Sequence, residues 1–408
     1  MHEAIVRQEK DQESRVMRHR QRSGLWVALA AASVIAPLAG SPAPSGTIPL
    51  RAGLTIVTAI NEPGRGDYES LKRVTGVSKR ALTLSVSGDV PDGEDALAAF
   101  LGEQKTARPA GNPQTRSYRI GRTVRSEDLK NAREYRSYFF ENSPDMFPGS
   151  TALGVSSLVL AELKSKGHSD LSVFGRQATS GALGGLLGGL LGELTGDETD
   201  GSAKSTGTLR LVKGGAATMS VLVNGTPTPL HVVRTRGTLG DFDCEFIFLD
   251  DVNNPISLKY SYGEMRLQVV RIEFPADTTT SAAGAPTIAT QLALTGKAEI
   301  YGIYFDFASD RIKEESAPVL TEIAKVLSDN PAWRLSVDGH TDSIGGDTSN
   351  LDLSKRRAAA VKQALVARYK VTPARLMTDG FGASRPKDTN ATLEGRARNR
   401  RVELIRQP

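Results

Sequence analysis

The stretch GHTDSIGGDTSNLDLSKRRAAAV, residues 339–361, runs from the end of a strand pattern into the start of a helix pattern and carries three acids and three bases. Before it, Leu335 and Val337 alternate in WRLSVDG, the period-two signature of a strand. After it, Ala358, Val361 and Leu365 recur at helical spacing, and the same line run backward passes through Arg357 to Leu353. Arg357 therefore belongs at the edge of a buried face, while Lys355 and Arg356 project elsewhere as solvated charges. A guanidinium partly withdrawn from water needs a fixed acceptor, because leaving it unpaired is costly. Asp342 is the internal candidate. The plainer reading is a strand-to-helix ion pair, worth at most about 1 kcal/mol if exposed; the other is a site for a ligand that carries both charges.

The surrounding tail reads strand, helix, strand, helix, strand, helix, strand: AEIYGIYFDF, then APVLTEIAKVLSDN with Leu320, Ile323, Ala324 and Leu327 on one face, then WRLSVDG, LSKRRAAAVKQALVARY, RLMTDGFG and finally RVELIRQ. That alternation predicts an α/β sandwich in βαβαβαβ order. IYFDF (303–307), GHTDSIG (339–345), NLDLSKRRAAAV (350–361), GFGASRP (380–386) and EGRARNRRVEL (394–404) resemble, in order and spacing, the OmpA-like peptidoglycan-binding domain. The resemblance covers roughly residues 297–408 and nothing before them.

What the resemblance implies is a ligand: the diaminopimelate side chain of the peptidoglycan stem peptide, whose free end carries an ammonium and a carboxylate. Mapped onto this chain, Asp342 of HTD accepts the ammonium and Arg357 of LSxxR forks onto the carboxylate. Thr341 and Asn350 accompany them, and Phe307 forms a wall. Where the family often has Asp after the second Phe, this chain has Ala308. Arg400 and Arg401 match the arginines of the last strand, and one of them is expected at the groove. The physics agrees with the mapping, since a zwitterion is matched by one carboxylate and one two-pronged guanidinium, a geometry that lysine does not reproduce. The glycines of SIGGDTSN allow close backbone approach, and the helix start after them favours anionic groups.

At the other end, LWVALAAASVIAPLAG (25–40) follows MRHRQR and precedes small residues, which reads as a signal peptide over 1–43, with Met17 as an alternative start. The run is shorter than the about 20 apolar residues of a spanning helix and is broken by Pro37. Ser41 stands where a lipoprotein signal would place Cys. Residues 46–275 then read as an exported mixed α+β region. AGLTIVTAI and ALTLSVSG are strand-like; SEDLKNAREYRSYFF, opened by Ser126, and TALGVSSLVLAELKSKG, stopped at Gly167, are helix-like; and SGALGGLLGGLLGELTG (180–196) is a Gly/Leu-rich connector. GTLRLV, TMSVLV, PLHVVRT, CEFIFLD, ISLKYSY and MRLQVVRIEF, separated by turns such as NGTP, predict an antiparallel sheet or small barrel. Residues 276–294 read as a linker, and 295–408 as the C-terminal domain, so the whole is α+β.

The charge of +5, from 51 basic and 46 acidic residues interleaved along the chain, does not argue for nucleic acid. The single Cys244 excludes an internal disulfide framework and a multi-thiolate metal site, and is expected in the core of a strand. His340 has no histidine near it in sequence and takes a structural place in its strand; no metal or other cofactor is expected. The reading is a non-enzymatic protein of the periplasm or cell envelope, with association to the outer membrane left open, that ties residues 46–275 and any envelope partner of theirs to the wall. One rival is an envelope enzyme within 46–275, although no HExxH, nucleophile motif or phosphate loop stands there. Another is a stator-like anchored protein, which would place an ionisable Asp in the apolar segment; residues 25–40 hold none.

Overall fold

The alternation of the tail is realised in the computed structural model, which describes residues 48–62, 66–91, 115–137, 144–176, 202–214, 217–274 and 287–408. The signal segment expected over 1–43, the Gly/Leu-rich connector and residues 276–286 of the expected linker lie outside the described residues. Among the described residues no helix is long and apolar enough to cross a membrane.

The N-terminal region is mostly β. Its strands are β1 (Thr55–Glu62), β2 (Gly66–Val77), β3 (Ala81–Pro91), β4 (Thr115–Arg125), β5 (Glu134–Arg136), β6 (Ser150–Thr151), β7 (His168–Arg176), β8 (Ser202–Leu211), β9 (Thr218–Val223), β10 (Thr226–Leu239), β11 (Phe242–Leu249), β12 (Ser257–Tyr262) and β13 (Met265–Glu273). They join in one sheet in the order β4-β3-β2-β1-β13-β12-β11-β10-β8-β7-β5-β6. β9 pairs antiparallel with β10 and parallel with β13, which closes β9 to β13 into a small ring. The β9–β10 turn is the NG of NGTP, with Asn224 and Gly225 both at positive φ (47° and 77°), the conformation that matches the twist of a two-residue hairpin. Cys244 is buried on β11.

Two helices lie between these strands, α1 (Ser126–Asn131) and α2 (Ser157–Lys166). The second follows the sequence signals: Ser156 caps its start by accepting from Val159 N, and Gly167 ends it in the left-handed conformation at φ 80°. The first is shorter than the pattern over 126–140 suggests. It stops at Asn131, and residues 134–136 pair instead as β5 with β6 and β7. Tertiary pairing overrides local periodicity there.

The C-terminal domain begins earlier than the linker reading placed it. Residues 288–295 form α3 (Ile288–Thr295), capped by Thr287, with Ile288 and Leu292 buried in the core of that domain. Then come β14 (Lys297–Ile300), α4 (Ala317–Asp329), β15 (Arg334–Gly339), α5 (Asp347–Tyr369), β16 (Leu376–Gly380), α6 (Leu393–Asn399) and β17 (Val402–Gln407). The sheet order is β14-β17-β15-β16. Leu335 and Val337 of β15 meet Ala358, Val361 and Leu365 of α5 and Leu320, Ile323 and Leu327 of α4 in one core. The sequence stripes on both helices are thus the packed faces.

The two regions meet across the outer face of β13, β1, β2, β3 and β4. In β1, Ile56 and Ile60 turn inward, while Val57 and Ala59 turn outward to pack with Leu71, Val270, Tyr304 and Ala397. This two-sided burial explains why β1 reads as a nearly continuous apolar run rather than an alternating one. α6 lies against β1 and β13.

Close packing of β15 on α5 aims the site. A Cβ on Gly339 would stand 2.2 Å from the Ser354 carbonyl oxygen. Gly339→Ala should therefore lower unfolding stability by about 1–3 kcal/mol in urea titration, as overpacking against backbone does.

Candidate functional site

Four chain segments converge at the C-terminal end of β15. Backbone hydrogen bonds fix them: His340 N to the Arg401 carbonyl (3.0 Å), Thr341 N to the Gly382 carbonyl (3.0 Å) and Phe381 N to the Gly339 carbonyl (2.9 Å). Asp342 follows, and its Oδ1 accepts from Ile344 N at 2.9 Å, an Asx turn that sets the carboxylate direction. Asn350, in the first turn of α5, donates to the carbonyls of Asp342 (3.2 Å) and Ile344 (3.0 Å). Its amide is thus committed to holding the 342–344 loop.

Asp342, Thr341, Asn350, Arg357 and Phe307 all line one pocket of about 210 Å³. The five residues singled out from sequence are therefore brought together. Arg357 is half-buried at the edge of the apolar face of α5, with its guanidinium 4.8 Å from the centre of the Phe305 ring. Its Nε donates to the Ser309 carbonyl at 2.9 Å, and this is its side-chain hydrogen bond among the described residues. Burial, and next the Arg400 charge, bring its pKa down from 12.5 to about 10, which leaves it cationic at neutral pH. Arg356 is exposed and pairs with Asp352 (2.8 Å) and Asp310 (2.6 Å). The Thr341 hydroxyl is buried and has no hydrogen-bond partner among the described residues, on a residue only 4% exposed. Ala308 lines the same pocket, so a methyl stands where the resemblance led one to look for a carboxylate.

Asp342 does not pair with Arg357. Its partner is Arg400, whose Nη1 donates to Oδ2 at 2.5 Å. Arg400 is thereby the arginine of the groove. Arg401, although it borders the same space, is buried and held by Glu403 at 2.6 Å. His340 is buried, stacks on Phe381 with centroids 5.4 Å apart, and lies 3.5 Å from Glu403.

The far wall comes from the N-terminal sheet, which sequence reasoning did not connect with the site. Asp67, Glu69 and Leu71 stand at alternate positions of β2 and share its outer face, where Glu69 accepts from Arg400 Nη2 (2.6 Å) and from Arg271 of β13 (2.8 Å). Burial alone would raise the Glu69 pKa, but Arg271 and Arg400 outweigh it and pull it from 4.5 to about 2. Burial likewise opposes the charge of Arg400, and the carboxylates of Glu69 and Asp342 overcome it and push its pKa up. One signal for this wall was legible. Arg271 interrupts the apolar run VVRIEF, which marks a charge expected to meet a partner.

Residues 304–400 are an OmpA family domain. The domain is similar to outer membrane porin F of Pseudomonas aeruginosa, with 41% identity over 129 residues, 32% of this chain and 35% of that protein. It is also similar to the peptidoglycan-binding protein ArfA of Mycobacterium tuberculosis, with 41% identity over 87 residues, 21% of this chain and 26% of that one. Among solved structures, the peptidoglycan-associated lipoprotein from Burkholderia pseudomallei is 30% identical over 26% of this chain and 88% of its own, with a TM-score of 0.24. The chain spans about a third of the length of the porin F proteins it matches. The OmpA domain belongs with proteins of the cell envelope, and the chain is a cell-envelope protein.

The lowered pKa of Glu69 makes a pH prediction whose sign is fixed. A depressed carboxylate stabilises above its unfolded pKa, and that stabilisation is lost as pH falls from about 4.5 toward 2. The stability gap between wild type and Glu69→Gln should be full at pH 7 and should close across that interval in denaturant titrations.

Proposed function

We propose that the OmpA domain binds the diaminopimelate-containing stem peptide of peptidoglycan and so anchors residues 46–275 to the cell wall, without catalysis. The observation that carries this reading is the state of Arg357. Its guanidinium lines a pocket shared with Asp342, is fixed through Nε and the Phe305 ring, and has no hydrogen bond from its Nη groups among the described residues, so they suit an incoming acceptor. A ligand carboxylate fits that fork, and the ammonium on the same carbon would reach the carboxylate of Asp342. The buried Thr341 hydroxyl, which has no partner among the described residues, adds a polar contact for the ligand. Asn350 and the Asx turn at Ile344 serve as supports that keep Asp342 in place.

The family of the domain, and the name of the ArfA relative, support the same ligand class. Simple charge attraction is a poorer account, because the exposed cation next along the helix, Arg356, is already neutralised by Asp310 and Asp352.

The test is co-sedimentation of the full chain with purified diaminopimelate-type peptidoglycan. Asp342→Ala and Arg357→Ala should each remove pelleting, since truncating one partner of a desolvated charged contact costs about 2–5 kcal/mol. Arg357→Lys should also fail, because it keeps the charge and loses the fork. Arg356→Ala should bind like wild type, at low salt and at about 0.5 M salt. Equal losses at 356 and 357, or full rescue by lysine at 357, would overturn the assignment.

A further inference from the structure

The ligand pocket is roofed by the chain's own N-terminal sheet. Asp67, Tyr68 and Glu69 of β2 line it opposite Asp342, Arg357 and Arg400. At about 210 Å³ it falls below the about 300–1,000 Å³ of pockets that take drug-sized ligands. It can take the charged end of a side chain. A stem peptide joined to a polymer must also lay its backbone beside this space, and Asp67, Glu69 and Leu71 of β2 are part of its wall.

Four ion pairs join the roof to the domain. Arg396 pairs with Asp67 (2.5 Å), Arg400 with Glu69 (2.6 Å), Lys313 with Asp89 (2.8 Å) and Arg119 with Glu315 (2.9 Å). Asp89 further accepts from Phe307 N at 2.8 Å, and Ser87 donates to Glu315 at 2.9 Å. An apolar strip runs beside these charges, with Tyr304, Ala397 and Leu393 against Val57, Ala59, Leu71 and Val270, and Phe307 against the N-terminal core. With four ion pairs in it, the contact is more polar than a domain core, the make-up of interfaces across which domains move relative to one another.

Glu69 is the central group. Its carboxylate sits on Arg400, the same guanidinium that holds Asp342, so a carboxylate of the protein stands beside the acid and base assigned to the ligand. We propose that the outer face of β2, with Glu69 as an internal carboxylate occupying Arg400, is an autoinhibitory cover over the peptidoglycan site, and that engagement of the wall and docking of this sheet face exclude one another. The inference rests on the reading of Asp342 and Arg357 as the peptidoglycan site. It goes beyond that reading by making binding depend on residues of the N-terminal region. The apparent affinity of the closed chain is lowered by the fraction of molecules in the open state, and loosening the cover raises it.

The experiment measures half-saturating peptidoglycan in co-sedimentation for the full chain and two variants. Glu69→Gln removes the carboxylate charge from Arg400 and Arg271. Arg396→Gln removes the flanking pair with Asp67 and leaves every pocket-lining residue unchanged. Each should bind more tightly than wild type by about fivefold, the size expected when one ion pair favouring the closed state is lost. Circular dichroism melts identify a variant that fails to fold, and Arg396→Gln then carries the test. Asp342→Ala placed in the Glu69→Gln background should abolish binding. If that double variant still pellets, the peptidoglycan site is misassigned. If it fails to pellet but Arg396→Gln and folded Glu69→Gln bind no better than wild type, or more weakly, the site stands and the cover does not.

Discussion

Arg400 ties the site together. One guanidinium spans the carboxylate of Asp342, at the end of β15, and the carboxylate of Glu69, on the N-terminal sheet. A guanidinium suits this place because its planar fork can serve two carboxylates at fixed directions and it does not lose its charge on burial. Arg271 then satisfies the other oxygen of Glu69, so acids and bases alternate along Asp342, Arg400, Glu69 and Arg271. Each charge is compensated by its neighbours, which is what allows so many of them to sit out of water. Arg357 stands outside this chain of pairs. Among the described residues only its Nε is hydrogen-bonded, which sets it apart from Arg400, Arg271 and Arg401.

The surfaces that meet there follow from elementary strand geometry. Side chains of a strand alternate, so Tyr68 and Ser70 enter the sheet side while Asp67, Glu69 and Leu71 share the other. Register then aligns Val57 with Leu71 and Ala59 with Glu69, and Leu71 with Ser87 and Ser87 with Arg119. One sheet face thereby presents an apolar strip beside a row of charges. α6 places Ala397 on the strip and Arg396 on the charges, so a single helix reads both.

Much of the C-terminal domain was legible because its signals are local. Period two in β15, the stripe on α5, and the cap residues of α2 each lie within a few residues of one another. The motif residues were legible as a set, since Asp342, Thr341, Asn350, Phe307 and Arg357 do border one pocket. Their individual roles were less so. The stripe on α5 puts Arg357 at the edge of a buried face, but the sequence offers Asp342 as its internal partner, because no sequence spacing relates Asp342 to Arg400, 58 positions away. Likewise α3 was hidden in an apparent linker, since its small-residue composition is neutral and its helicity is secured by Leu292 packing into the domain core.

By itself the sequence determined the βαβαβαβ order of the tail, the hairpin at Asn224 and Gly225, and which acid and which arginine belong at the end of β15 and on the face of α5. These depend on local backbone preference, side-chain periodicity and a motif of short span. Only the tertiary structure decided that Arg400 and not Arg401 turns to the groove, that Asp342 pairs with it, and that Glu69 and Arg271 close the far wall. Those outcomes depend on which sheet face meets which helix, and long-range charge pairing is set by three-dimensional proximity, for which the order of residues along the chain carries no local signal.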